Sequence, residues 1–338
     1  MFKAYKILFF NFMILGTLIA ISASSWLITW IGLEINLLSI MPLLKSSENK
    51  YPSESAIKYF MVQALGSSFF LFSVMILILL NIPMKSELYS IETMLVSSAL
   101  LLKMGAAPMH FWLPEILSGL SWMNVLIILT WQKIAPSMLL FSLVDENVMF
   151  FSIIIIVSSM IGGIQGLNQT CLRKILAYSS INHMGWMICT LFSSINLWIY
   201  YFIIYFFINM NMILIFKKYN TFYVNQLAYI FSHSKKIKMI FMLNFLSLGG
   251  LPPFLGFLPK WLTIFTMIEN GHYTTVTFLV IFTLLSLYFY LRITFSSFSI
   301  NNEESLLIVF KKMSFFHFFL NTISILGLIS CSFIDSTF

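Results

Sequence analysis

Asn244-Phe-Leu-Ser-Leu-Gly-Gly-Leu-Pro-Pro-Phe-Leu-Gly-Phe-Leu-Pro-Lys260-Trp261 combines two properties that only one solvent reconciles. The segment lies in an apolar window over 238–267, too long for one straight membrane span of about 20 residues. Yet Gly249, Gly250, Pro252, Pro253, Gly256 and Pro259 forbid a continuous helix, because proline lacks an N–H and clashes with the preceding turn. In hydrocarbon every backbone polar group must be bonded within the protein. Irregular backbone at that depth survives only where it is buried in protein or lines a water-filled cavity. The stretch therefore predicts a transmembrane helix broken at mid-depth, with Lys260 just past the break.

A second copy supports this reading. Gly105-Ala-Ala-Pro-Met-His-Phe-Trp-Leu-Pro-Glu115 aligns without gaps on Gly250-Leu-Pro-Pro-Phe-Leu-Gly-Phe-Leu-Pro-Lys260, sharing the glycine, both prolines and a leucine. Two Gly/Pro-interrupted helices in corresponding places of oppositely oriented halves mark an inverted-repeat transporter.

Composition fixes the class. The chain is 59% hydrophobic and only 9% charged, with a mean hydropathy of +0.93. Soluble domains carry about 25% charged residues. The apolar runs are continuous rather than alternating, so the expected fold is all-α and polytopic. Eleven spans are predicted, near 6–23, 26–44, 57–80, 91–110, 122–143, 148–165, 174–193, 195–216, 238–267, 273–297 and 314–334. They divide into a first repeat over 6–143, a second over 148–297 and a C-terminal helix over 314–334. Lys3 and Lys6 before an apolar run resemble a signal peptide, with Ser22-Ala23-Ser24 as a cleavage site. The next span begins at Trp26, which favours an uncleaved first helix. The 36 Phe and 21 Met suit an A/T-rich genome with an extra methionine codon, as in animal mitochondria.

Charge supplies the orientation. With eleven spans, Lys3, Lys6, Lys45, Lys50, Lys58, Arg173, Lys174, Lys217, Lys218, Lys235, Lys236, Lys238, Arg292, Lys311 and Lys312 fall on one side. Lys85 alone falls on the other, with Glu87, Glu92, Asp145, Glu146, Glu269 and Asp335. Under the positive-inside rule the N-terminus faces the cytoplasm or matrix and the C-terminus the opposite side. This distribution explains the net charge of +7 without a nucleic-acid partner. Cys171, Cys189 and Cys331 form no C-x-x-C pair, and no G-x-G-x-x-G or Walker motif occurs. No cofactor or metal is expected in this chain.

The chemistry rests with ionisable residues inside spans. A charge at the bilayer centre costs roughly 2.5–3.5 kcal/mol on insertion scales, so such groups face polar interiors and have partners. Glu34, Lys103, Lys133 and Lys260 lie at membrane depth on four spans. Burial penalises an ammonium's charged form, which lets a lysine hold and release a proton. The plainer reading is a structural ion pair, Glu34–Lys103, fastening two helices. One pair leaves Lys133 and Lys260 unexplained. His110 follows Pro108 at the first break and is either a relay member or a stabiliser of that break. His183, in Ser179-Ser-Ile-Asn-His183, suits a water chain or a helix–helix hydrogen bond. Lys58 and Arg292 sit near span ends and snorkel.

These residues carry a resemblance. Gly32-Leu-Glu34-Ile-Asn36, Leu102-Lys103-Met-Gly-Ala-Ala-Pro-Met-His110-Phe-Trp-Leu-Pro114, Thr130-Trp-Gln-Lys133 and Gly166-Leu-Asn-Gln-Thr-Cys-Leu-Arg-Lys174 occur in order with Tyr178-Ser-Ser-Ile-Asn-His183-Met-Gly-Trp186 and the 244–261 stretch. Together they resemble, end to end, the antiporter-like subunits of respiratory complex I (NADH:ubiquinone oxidoreductase), in the branch found in insect mitochondria. Bacterial members have fourteen helices in two inverted five-helix repeats. The animal branch lacks the first three, which agrees with eleven.

The resemblance implies a proton-translocating subunit in the mitochondrial inner membrane, with the N-terminus in the matrix and the C-terminus in the intermembrane space. It places the family's relay on Glu34, Lys103, Lys133 and Lys260, with His110 and His183 lining the route. NADH, FMN, iron–sulfur clusters and ubiquinone belong to other subunits, and neighbouring antiporter-like subunits and lipids are the partners. Two rivals use the same residues differently. A redox-independent cation/proton antiporter transports ions without NADH, and a purely structural subunit tolerates neutral replacement of all four charges.

Overall fold

The computed structural model describes residues 4–45, 50–80, 86–227, 235–252 and 254–299, and position 322. Among these the chain is helical. The one β-type feature is an isolated antiparallel bridge between Cys171 and Tyr223. Apart from position 322, the predicted C-terminal span 314–334 lies outside the described residues. So do Lys3, Lys85, His233, Pro253, Lys311, Lys312, His317, Cys331 and Asp335.

The chain forms two compact units, residues 1–158 and 159–338. The first contains α1 (Ala4–Ser22), α2 (Trp26–Leu44), α3 (Lys50–Leu80), α4 (Ser86–Met104), α5 (Trp112–Gly119), α6 (Trp122–Leu129) and α7 (Trp131–Phe141). The boundary falls inside α8 (Val148–Gly166). The second contains α9 (Leu172–Leu191), α10 (Ile195–Tyr219), α11 (Lys235–Gly249), α12 (Phe257–Glu269) and α13 (Tyr273–Ser299). Among the described residues seven helical segments are long and apolar enough to cross a membrane: Tyr5–Ser22, Trp26–Leu44, Lys50–Ile78, Trp122–Phe141, Val148–Gly166, Ile195–Tyr219 and Tyr273–Phe295. Helix α9 is long enough but carries Arg173, Lys174, Asn182 and His183, which lower its hydropathy.

Both predicted breaks are present, and their backbones close in the same way. Helix α4 ends at Gly105, with φ +75°. The N–H of Gly105 donates to Leu102 O at 3.1 Å, and that of Ala106 to Leu101 O at 3.1 Å. Helix α11 ends at Gly250, with φ +78°. The N–H of Gly250 donates to Ser247 O at 3.0 Å, and that of Leu251 to Leu246 O at 3.3 Å. This paired closure is the Schellman motif, which uses glycine because the left-handed conformation penalises a Cβ. In each copy the next helix starts seven residues on, at Trp112 and Phe257, with Pro114 and Pro259 as its third residue. A proline is tolerated there because first-turn N–H groups have no intrahelical acceptor.

A third interruption departs from the expected single span over 122–143. Helices α6 and α7 meet at Thr130, with φ −119° and ψ −73°. Its Oγ1 donates to Leu126 O at 2.6 Å, alongside its own N–H at 3.0 Å. The next bond is short-range, from Lys133 N–H to Thr130 O at 3.1 Å. Helix α3 also begins at Lys50 rather than near 57, because its polar first turns extend beyond the apolar window.

In the first unit, α1 lies along α2, and α4 packs on α3 and α7. Gly32 sets the first contact: a Cβ there would lie 2.6 Å from Ala20 N. Small residues that let backbones approach closely are the usual basis of helix packing in membranes. In the second unit, α10 packs on α9, α11 and α12, and α13 on α9, α11 and α12.

Candidate functional site

The buried lysines sit at the interruptions. Lys103 is in the last turn of α4, two residues before Gly105. Lys133 is three residues past Thr130. Lys260 is in the first turn of α12, after the second break. They are 6%, 1% and 7% exposed. Interrupted helices leave carbonyls without intrahelical donors, which gives an ammonium something to bind at membrane depth.

Lys260 shows this directly. Its Nζ donates to Gly249 O at 2.9 Å and Leu248 O at 3.3 Å, the last carbonyls of α11. These carbonyls carry the negative end of the helix dipole, which favours a cation. The Nζ also lies 5.8 Å from the centroid of the Trp186 ring, within cation–π range. At the first break neutral donors serve the end of α4. Trp112 Nε1 donates to Leu102 O at 3.1 Å and Gln63 Nε2 to Lys103 O at 3.2 Å. Glu115, aligned with Lys260 in the repeat, is exposed, with Lys58 Nζ at 3.9 Å.

In the first unit Lys103 borders a cavity of about 10 Å³, roughly the room of one water, with Leu33, Asn36, Leu37, Tyr59, Gln63, Gln132 and Pro136. Its Nζ lies 5.8 Å from the centroid of the Phe70 ring. Glu34 is half-buried on α2 and acts electrostatically on Lys103. No contact within 4.0 Å joins the two, whereas Lys58 pairs directly with Glu54 at 3.1 Å. A direct Glu34–Lys103 bridge is therefore absent. Across the cavity, Asn36 Nδ2 donates to Gln132 Oε1 at 2.9 Å and Gln132 Nε2 to Asn36 Oδ1 at 3.0 Å. Tyr59 OH donates to the same Gln132 Oε1 at 3.3 Å.

His110 is fully buried inside the first break, with Nδ1 3.1 Å from Pro108 O. In the second unit, His183 Nδ1 is 2.8 Å from Tyr201 OH, a bond between α9 and α10. His183 also lines a cavity of about 10 Å³ with Tyr201, Tyr205, Ser247, Leu248, Gly256 and Pro259. Helix–helix bonding is shared with its neighbour, since Asn182 Nδ2 donates to Ser286 Oγ at 3.0 Å. Arg292 is exposed, and its guanidinium donates to Leu167 O and, at 3.1 Å, to Gln169 O.

Sequence reasoning passed over Asn36, Tyr59, Gln63, Gln132 and Tyr201 as site residues. It also placed Glu92 in a connection, whereas Glu92 is inside α4 and 4% exposed. The signal for Asn36 and Gln132 was available, since both are carboxamides in long apolar runs, one or two residues from an ionisable group at membrane depth.

Interrupted helices, each with a buried lysine beside the break, define a class of ion-translocating membrane proteins. The family model for the membrane domain of NADH:quinone oxidoreductases and Mrp antiporters matches residues 23–286. The chain is 46% identical over 332 residues to NADH-ubiquinone oxidoreductase chain 2 of Anopheles gambiae, covering 97% of each. With that of Locusta migratoria it shares 44% identity over 98% of this chain and 97% of the relative. The fold matches a chain of respiratory complex I from Thermus thermophilus with TM-score 0.85 and 23% identity, covering 99% of this chain and 79% of that one. The chain belongs to the NADH-ubiquinone oxidoreductase chain 2 family.

Proposed function

We propose that this chain is a core membrane-arm subunit of respiratory complex I. It provides a path for protons across the mitochondrial inner membrane, driven by NADH oxidation and ubiquinone reduction in other subunits. The observation that carries this reading is the burial of Lys103, Lys133 and Lys260 at helix interruptions, in a chain of this family. A buried amine beside freed carbonyls holds a proton and passes it on through water.

Glu34 and Lys103 form the switching pair. Their separation, with electrostatic contact but no direct bond, lets the charge on one govern the other without locking both. Lys133 is the central relay. Lys260 serves the exit or a neighbouring antiporter-like subunit, and His110 and His183 line the route. Eleven crossings in two inverted five-helix repeats, 6–143 and 148–297, followed by a C-terminal helix over 314–334, put the N-terminus in the matrix and the C-terminus in the intermembrane space. NADH, FMN, iron–sulfur clusters and ubiquinone are held by other subunits. Membrane-arm subunits and lipids surround this one.

Lys133→Met in the assembled complex of a tractable relative tests the relay. The proton-per-electron ratio falls if Lys133 carries protons and stays at the parental value if it does not. A blue-native gel stained for NADH dehydrogenase, with the chain located by mass spectrometry, separates the rival. Comigration with a megadalton active band supports the complex I reading. Migration alone, with ion flux in proteoliposomes lacking NADH, supports a redox-independent antiporter.

A further inference from the structure

We propose that Asn36 and Gln132 form a hydrogen-bonded gate between Lys133 and the cavity beside Lys103: closed, it keeps water from joining the two, and open, it admits the water that links Lys103 to Lys133. The inference rests on the relay reading above. It concerns residues to which that reading gives no role.

The geometry is that of a latch between three stations. Asn36 is two residues past Glu34 on α2, Gln132 immediately precedes Lys133 on α7, and the cavity they border contains Lys103 of α4. The two carboxamides exchange both hydrogen bonds, at 2.9 and 3.0 Å, and Tyr59 of α3 adds a third on Gln132 Oε1. Asn36, Tyr59 and Gln132 are all buried.

The chemistry favours a gate over a relay member. A carboxamide neither gains nor loses a proton readily near neutral pH, so the pair does not store one. Its donors and acceptors do order water, and each amide retains one N–H beyond the reciprocal bonds. Paired, the amides satisfy each other and leave little demand for water between them. Parted, they offer polar partners to water entering the cavity, and a small polar space is the setting in which buried water is stable. A charge change at Glu34 pulls on α2 and therefore on Asn36, which couples the switching pair to the gate. When a proton passes from the Lys103 ammonium to the Lys133 amine, one N–H breaks and one forms. The bridging water exchanges O–H bonds and ends unchanged.

A simple helix fastener is the competing account. Replacing both members of a buried polar pair by apolar groups of similar shape is often close to neutral for stability. The test is therefore Asn36→Leu/Gln132→Met in the assembled complex, with proton-per-electron ratio as the readout beside Lys133→Met. A gate that cannot wet lowers the ratio towards that of Lys133→Met, and the exchanged pair Asn36→Gln/Gln132→Asn restores it. A parental ratio in the apolar double variant, with a lowered ratio in Lys133→Met, overturns the gate and leaves the relay standing. Failure of the exchanged pair to restore pumping overturns it too. A parental ratio in Lys133→Met overturns the relay itself. If the apolar variant does not assemble, Tyr59→Phe decides. Loss of the third bond lowers the ratio through slip if the pair gates the path and leaves it parental if the pair only fastens helices.

Discussion

The ammonium nitrogen of Lys260 lies 2.9 Å from the carbonyl oxygen of Gly249, so a side chain from one half of the broken helix caps the other half. Gly250 makes room for it. A Cβ at Gly250 would sit 2.8 Å from Lys260 Cδ and 3.0 Å from Nζ, on a backbone with φ +78°. Gly250→Ala adds about 1–2 kcal/mol of left-handed strain and displaces the ammonium from its carbonyls. Gly249→Ala has no such conflict, since its Cβ would meet nothing closer than 3.6 Å. The expected result is a lower thermal stability and proton-per-electron ratio for Gly250→Ala, with both near parental for Gly249→Ala. Equal behaviour of the two variants would show that the cap does not matter.

Tyr201→Phe isolates the bond to His183. The ring keeps its packing while the hydroxyl 2.8 Å from Nδ1 is lost. Losing a hydrogen-bond partner in a buried site costs about 1–3 kcal/mol, and His183 turns more freely in its cavity. A fall in proton-per-electron ratio larger than the fall in melting temperature explains is the expected outcome. If pumping simply tracks stability across Tyr201→Phe and a matched packing variant, the bond is a fastener.

Much of this was legible along the chain. Gly105 and Gly250 announce their breaks because glycine and proline inside an apolar run have few other uses, and a lysine in such a run must be buried against something polar. The interruption at Thr130 left no such mark. Threonine is ordinary within a helix, and the way its hydroxyl shares the Leu126 carbonyl with its own N–H is visible only in the folded chain. Asn36 and Gln132 stand out singly as carboxamides in apolar runs, but their pairing does not. The two are 96 residues apart, and no local pattern says which two amides meet. Glu34 was recognisable as an intramembrane acid. That it stands off from Lys103 depends on where α2 settles against its neighbours.

That placement depends on Gly32. A Cβ there would lie 2.6 Å from Ala20 N and 2.9 Å from Ala20 Cβ, so even alanine forces α1 and α2 apart. Overpacking of this kind costs about 1–3 kcal/mol. Gly32→Ala is expected to reduce the amount of assembled complex on a blue-native gel and to lower pumping in what remains, because Glu34 moves with α2. Ala20→Gly in the same chain relieves the Cβ contact but not the backbone one, so rescue is partial. Full assembly of Gly32→Ala alone would mean that α1 is held by something other than this contact.

Glu34→Gln separates a switch from a strut. A direct buried ion pair that loses one partner costs about 3–5 kcal/mol, because a charge is left without compensation. Lys103 is not in that position. Its ammonium is near the Phe70 ring and a polar cavity, and Glu34 acts on it from beyond 4.0 Å. The glutamine variant is therefore expected to assemble with a melting temperature close to parental and to lose proton pumping, because burial then acts on Lys103 with no opposite charge to favour its ammonium. The reverse pattern, with a poorly assembled complex whose surviving fraction pumps at the parental ratio, would make Glu34 a structural residue. Glu34→Asp sharpens the test: it keeps the charge and withdraws it by one methylene, so a switch is weakened but still works.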